Sequence, residues 1–141
     1  MQLLMAAIGV VSVLLIGAEV QAEQVSHNTL TSTEKADGWE LLFDGRALDG
    51  WRNYGQKGEV EGWRAVDGLL SRFGEGGDII TDAVFENFDL RLEWRIETGG
   101  NSGIFFRVRE GAEAAWHTAP EMQVLDDATH PDGRETKTSA G

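Results

Sequence analysis

The chain has 141 residues, enough for one domain and hardly for two. Twelve basic against 24 acidic side chains leave a formal charge of −12, which disfavours a nucleic-acid backbone or an anionic membrane surface as partner and leaves neutral sugars compatible. Eighteen Gly, two Pro and five Trp suit a turn-rich β protein better than a helical one, and the lack of any Cys rules out disulfide staples and lipid attachment through a cysteine.

Met1 to Ala22 has the build of a secretory signal peptide, with an apolar run from Leu3 to Ile16 and cleavage expected after Ala22. The positive charge before the run comes from the terminal amine alone. An uncleaved membrane anchor is the alternative, but Gly9, Gly17 and Glu19 shorten the run below the roughly 20 residues a span needs. The mature protein is therefore expected to be secreted or periplasmic, with no stable membrane insertion. Residues 23–37 are polar, show neither helical nor strand periodicity, and read as a disordered linker.

A β domain is expected over 38–141. Trp39 to Phe43 reads as a strand stopped by Asp44-Gly45, and Leu48-Asp49-Gly50-Trp51 repeats the turn-then-aromatic pattern. Trp63 to Val66 and Leu69 to Phe73 flank Asp67-Gly68, the strongest two-residue hairpin signal in the sequence. Gly74-Glu75-Gly76-Gly77 is followed by Ile79-Ile80-Thr81 and no helix pattern, so it reads as a glycine-rich hairpin turn rather than a phosphate loop.

The cleanest alternation is Leu90 to Glu97, with Leu90, Leu92, Trp94 and Ile96 on one face and Arg91, Glu93, Arg95 and Glu97 on the other. It is expected to form a hairpin with Ile104 to Arg109 through the turn Thr98 to Gly103. A looser segment, Glu110 to Pro120, leads to Glu121-Met122-Gln123-Val124-Leu125-Asp126-Asp127. Here Glu121 and Gln123 share one face of a strand and Met122 and Val124 the other. A bulge near Leu125 would swing Asp126 onto the face of Glu121 and Gln123 and complete a polar row able to hold and act on a sugar. The bland alternative is an edge strand with a solvated polar face. His117 and His130 bracket this stretch without a recognised metal-ligand spacing, so no metal site is expected.

Three pieces in order, Gly38-Trp39-Glu40-Leu41-Leu42-Phe43-Asp44-Gly45 with Leu48-Asp49-Gly50-Trp51, then Asn101-Ser102-Gly103-Ile104-Phe105-Phe106-Arg107, then Pro120 to Asp127, resemble the secreted bacterial 3-keto-disaccharide hydrolase family. The resemblance runs from about Gly38 to Gly141. It implies an all-β fold, a concanavalin A-like jelly-roll sandwich of two antiparallel sheets. Family members continue with further strands, and Asp126 to Gly141 is polar without a closing strand, so the sandwich is expected to be incomplete at the C-terminus.

The resemblance also implies a glycoside substrate whose C3 hydroxyl has become a ketone; no cofactor is expected. That chemistry needs a base, a stabiliser of enolate charge and a proton donor. Glu121 or Asp126 is the candidate base or acid, and Arg107 the candidate holder of negative charge, with an ion pair to Glu93 or Glu121 as its alternative role. Gln123, Arg109, Trp116 and Asn101 are the candidate substrate contacts, although Asn101, with Ser102, is better suited to shaping its turn.

Two other functions stay open. Glu-x-Gln-x-x-Asp is similar to the bulged catalytic strand of laminarinase-type retaining glycosidases, yet Gln123 and Asp126 depart from its carboxylates. Strand neighbours two steps apart also lie about 7 Å apart, against the roughly 5 to 5.5 Å a retaining pair needs. A non-catalytic, lectin-like carbohydrate-binding module is the other alternative, since this fold serves both.

Overall fold

A computed structural model describes residues 26–134; the expected signal peptide, 1–22, lies outside the described residues, as does the polar end beyond Arg134. Inside the segment expected to be a linker, Ser32–Ala36 forms a single helical turn, α1. Five residues are too few to show a period, but the turn is closed by a capping box: the Thr31 hydroxyl accepts from Glu34 N at 3.2 Å while Thr31 N donates to Glu34 Oε2 at 2.8 Å. Just upstream, Asn28 Nδ2 donates to Gly68 O at 2.8 Å, tying this segment to the β domain.

Among the described residues the strands pair antiparallel in three two-stranded ribbons, β1 (Trp51–Asn53) with β4 (Ile79–Thr81), β2 (Trp63–Val66) with β3 (Leu69–Arg72), and β5 (Asn101–Phe105) with β6 (Glu121–Leu125), joined by loops and two short 3-10 turns. The β2–β3 hairpin is the one its turn predicts. Asp67 and Gly68 sit at φ 50° and 78°, the two left-handed positions whose twist matches that of the flanking strands.

Four expectations are corrected. Trp39 to Phe43 joins no strand pair among the described residues; its backbone is used locally, Leu42 O accepting from Trp51 Nε1 at 2.6 Å. The glycine-rich run Gly74 to Gly77 is not a hairpin turn, because β3 and β4 belong to different ribbons. Instead it packs backbone against backbone: a Cβ on Gly76 would come within 2.5 Å of Gly62 Cα. Asn53, only 3% exposed, locks this crossing by donating to Glu61 O at 3.0 Å and Gly76 O at 2.5 Å and accepting from Glu61 N at 2.7 Å.

Leu90 to Glu97 forms no ladder, and Leu90, Leu92 and Trp94 stand about half exposed. Its alternation marks a face but supplies no backbone partner among the described residues. The expected partner, Ile104 to Arg109, is displaced upstream: pairing begins at Asn101, and Arg107 at φ 58° ends the extended run. The partner of β5 is β6, which arrives after the segment Glu110 to Pro120.

Burial is concentrated at the end of this last ribbon. Val124 and Leu125 are 5% and 3% exposed, and Ala115 in the 3-10 turn Ala115–His117 is 3% exposed. Along β6 burial therefore deepens from Glu121 to Leu125 instead of alternating.

Candidate active site

The β5–β6 register runs from Phe105 opposite Glu121 to Asn101 opposite Leu125 with no bulge, and Asp126 N continues the ladder to Gly100 O at 3.1 Å. In an antiparallel pair, opposed residues point to the same side, so Asn101, Gly103 and Phe105 share a face with Leu125, Gln123 and Glu121. On that face Gln123 Nε2 donates to Asn101 Oδ1 at 2.7 Å. Beside it the Glu121 side chain lies across the bare backbone of Gly103, so close that a Cβ there would stand 2.5 Å from Glu121 Cδ and 2.8 Å from Cγ.

No donor or cation among the described residues holds the Glu121 carboxylate. Burial pushes its pKa up, and the negative charge of Asp78 adds to the rise. Asp78 precedes β4, and its carbonyl accepts from Tyr54 N at 2.9 Å.

Asp126 is elsewhere, and in the opposite state. Without the bulge it does not join the row of Glu121 and Gln123. It sits past the end of β6 and clamps two turns, accepting from Gly99 N at 2.6 Å, from Ala128 N at 3.2 Å and from the Thr129 hydroxyl. The Thr129 hydroxyl, then Gly99 N, hold its pKa below the ordinary aspartate value. The two candidate carboxyls thus have protonation equilibria pushed apart by their surroundings, the pattern that separates a group able to exchange a proton from one kept ionised.

Arg107 makes no ion pair with Glu93 or Glu121. Glu93 faces His27 Nδ1 at 3.0 Å instead. Arg107 lines an open cleft of about 370 Å³ with Glu86, Asn87, Phe88 and Phe106. Arg109 takes part through its backbone, its N donating to Thr118 Oγ1 at 3.2 Å and its O accepting from Tyr54 OH at 3.1 Å. Trp116 is 63% exposed, with its ring edge-on to His117 at 3.9 Å. The loop that carries these groups is pinned by Arg52, whose Nη1 and Nη2 fork onto Glu110 Oε1 and Oε2 at 2.6 and 2.7 Å while Nε meets Asp82 at 3.1 Å. Among the described residues no group of three or more His, Asp or Glu could hold a metal ion.

The structure therefore brings together Glu121, Gln123 and Asn101, and sets Asp126, Arg107, Arg109 and Trp116 apart from that row. Sequence reasoning missed Gly103 and Asp78. A lone Gly inside a strand pattern is a signal of close approach that points to the first. Nothing local to Asp78 announces that β4 would bring it near β6.

Residues 38–141 match the family described as the 3-keto-alpha-glucoside-1,2-lyase-like domain. The chain is 37% identical over 118 residues to a curated protein of Bacteroides thetaiotaomicron named 3-keto-disaccharide hydrolase, an alignment covering 70% of this chain and 41% of that protein. It is also similar to a crystal structure from Parabacteroides distasonis ATCC 8503 that carries the provisional name of glycosyl hydrolase. There the TM-score is 0.62 and the identity 34%, over 75% of this chain and 49% of that one. The chain thus spans less than half the length of both.

Proposed function

This chain belongs to the 3-keto-alpha-glucoside-1,2-lyase-like domain family, and from that premise we propose that it acts in hydrolysing 3-keto-glycosides, with Glu121 as the group that moves the proton. A ketone at C3 acidifies the hydrogen on C2. A base takes that proton, the electron pair forms the C2–C3 enolate, and collapse of the enolate re-forms the C3 carbonyl and expels the C1 oxygen, which takes up a proton and leaves as an alcohol, with a double bond between C1 and C2. Water then adds at C1 and a proton returns to C2, so the net change is hydrolysis. A carboxyl whose pKa is raised toward the working pH suits both the abstraction and the return.

The observation that carries this reading is the placement of Glu121: an exposed carboxyl that lies across the bare backbone of Gly103 beside the Gln123–Asn101 pair, with no donor on its oxygens and a pKa raised by desolvation and by Asp78. The adjoining Gln123 and Asn101 amides suit the sugar hydroxyls. Arg107, which lines a separate cleft with Glu86 and Phe88, is given no part in this step. Asp126, held ionised by its turn, is assigned the upkeep of the loop beside the row. The apolar run Leu3 to Ile16 supports an exported location for this activity.

The test is to incubate the protein with a 3-keto disaccharide and with its unoxidised parent in deuterated water. Cleavage of the ketone alone, with deuterium at C2 of the released sugar, is the expected result. Cleavage without deuterium at C2 supports direct hydrolysis, cleavage of the parent supports an ordinary glycosidase, and binding without cleavage supports a carbohydrate-binding module.

A further inference from the structure

We infer that Gly103 is a positioning residue, whose missing side chain leaves the space in which the Glu121 side chain lies against the β5–β6 ribbon. The inference rests on the role given to Glu121 above, but its geometry stands without that role. Gly103 is opposite Gln123 in the register, so it is the diagonal neighbour of Glu121 on the same face of the ribbon. Its backbone does not need glycine, since Gly103 is absent from the positive-φ positions that fill the turns of this chain. What needs glycine is the space above it. A Cβ would meet Glu121 Cδ at 2.5 Å and Cγ at 2.8 Å, separations real Cβ atoms do not adopt.

The consequence concerns where the carboxyl sits. Glu121 stands at the exposed start of β6, where a flexible side chain is free to extend fully into water. Laid over Gly103, it instead stays against the sheet and beside the Gln123–Asn101 pair. Alanine at 103 forces the carboxyl off the sheet and into solvent, while leaving both the backbone hydrogen bonds and Glu121 itself in place. Any β-carbon acts the same way, so the position accepts no side chain at all without moving the proton-handling group.

The test reads Glu121 directly. Its side-chain carboxyl carbon is followed by NMR titration in the wild-type protein and in Gly103→Ala, where the midpoint is expected to fall to the ordinary glutamate range. An unchanged midpoint overturns the inference. A double-mutant cycle on thermal unfolding keeps the question answerable if the variant is unstable: the change in Tm caused by Gly103→Ala should differ between Glu and Ala at residue 121, because only the Glu side chain meets the added carbon. An equal change in both backgrounds, or failure to fold in both, overturns the inference, because the effect then has a source other than Glu121. On the 3-keto substrate, kcat should fall at least tenfold and the acid limb of the pH–rate profile should move with the NMR midpoint. A wild-type protein inert toward that substrate would count against the proposed reaction alone, since the titration and the cycle need no turnover.

Discussion

Gln123 reaches across the diagonal of the β5–β6 ribbon to donate from Nε2 to Asn101 Oδ1 at 2.7 Å, orienting both amides beside Glu121. A partly exposed side-chain hydrogen bond contributes only about 0.5 to 1.5 kcal/mol to folding. Its greater effect should be on binding, because the pairing uses one group of each amide and leaves an acceptor on Gln123 and a donor on Asn101 for sugar hydroxyls. Gln123→Ala is therefore expected to shift the unfolding transition little while raising KM for a 3-keto disaccharide roughly tenfold, about 1.4 kcal/mol of binding. Steady-state kinetics beside a thermal melt checks this; a large loss of stability with unchanged KM would make the pair structural.

Glu121→Gln keeps the shape of the side chain over Gly103 and removes its capacity to exchange a proton. Turnover is expected to fall by about 10²- to 10⁴-fold, the usual contribution of general acid–base catalysis, with the melting curve retained. The pH dependence has a definite sign. Burial and Asp78 raise the Glu121 pKa in the folded state, so its contribution to stability is fully present below the unfolded glutamate value and is lost as pH rises through the folded one. Glu121→Gln should accordingly remove a small loss of Tm between those two pH values, seen by melting both proteins across the acid range.

Asp126 predicts the reverse slope. Three donors favour its ionised form, so its folded pKa is depressed; its stabilising effect is present above the unfolded aspartate value and disappears as pH falls through the lowered one. Asp126→Asn should lower Tm at neutral pH and flatten its acid dependence, and hydrogen exchange at Gly99 and Ala128 should quicken. Unaltered exchange at those amides would remove Asp126 from the clamp.

These contrasts mark where the sequence was readable. The β2–β3 hairpin was, because Asp67-Gly68 supplies both left-handed residues and the strands beside it adjoin in sequence. The all-β class was, from its Gly and Trp content and its short alternations. The pairing of β5 was not: alternation from Leu90 to Glu97 says which side chains share a face, whereas choosing between that run and Glu121–Leu125 depends on long-range closure. The one-turn helix was missed although the Thr31-to-Glu34 capping box stands in the sequence, since periodicity needs more than five residues. In the candidate site, the shared face of Glu121 and Gln123 was legible from strand parity, whereas Asn101, expected in a turn, opens β5 instead. Asp126 was misplaced because parity alone favours a bulge wherever a carboxylate falls one residue out of step, and the turn donors Gly99, Ala128 and Thr129 that actually hold it come from either side of the strand pair.

The glycine-rich run offers a sharper test of the same distinction between space and backbone angle. Gly76 has no positive φ, but a Cβ there would stand 2.5 Å from Gly62 Cα and 2.6 Å from Glu61 C, both backbone atoms that cannot swing aside. Gly74 is the converse, with φ 76° and nothing within 4 Å of the added carbon. Gly74→Ala should cost about 1 to 2 kcal/mol, the strain of a left-handed residue with a side chain. Gly76→Ala should cost more, because overpacking at about 1 to 3 kcal/mol comes with displacement of the Gly76 carbonyl from the buried Asn53 amide, leaving a polar group at 3% exposure short of a partner. Denaturant unfolding of the two variants decides the order; if Gly74→Ala proves the more damaging, the crossing of Gly76 over Glu61 and Gly62 is looser than these distances require.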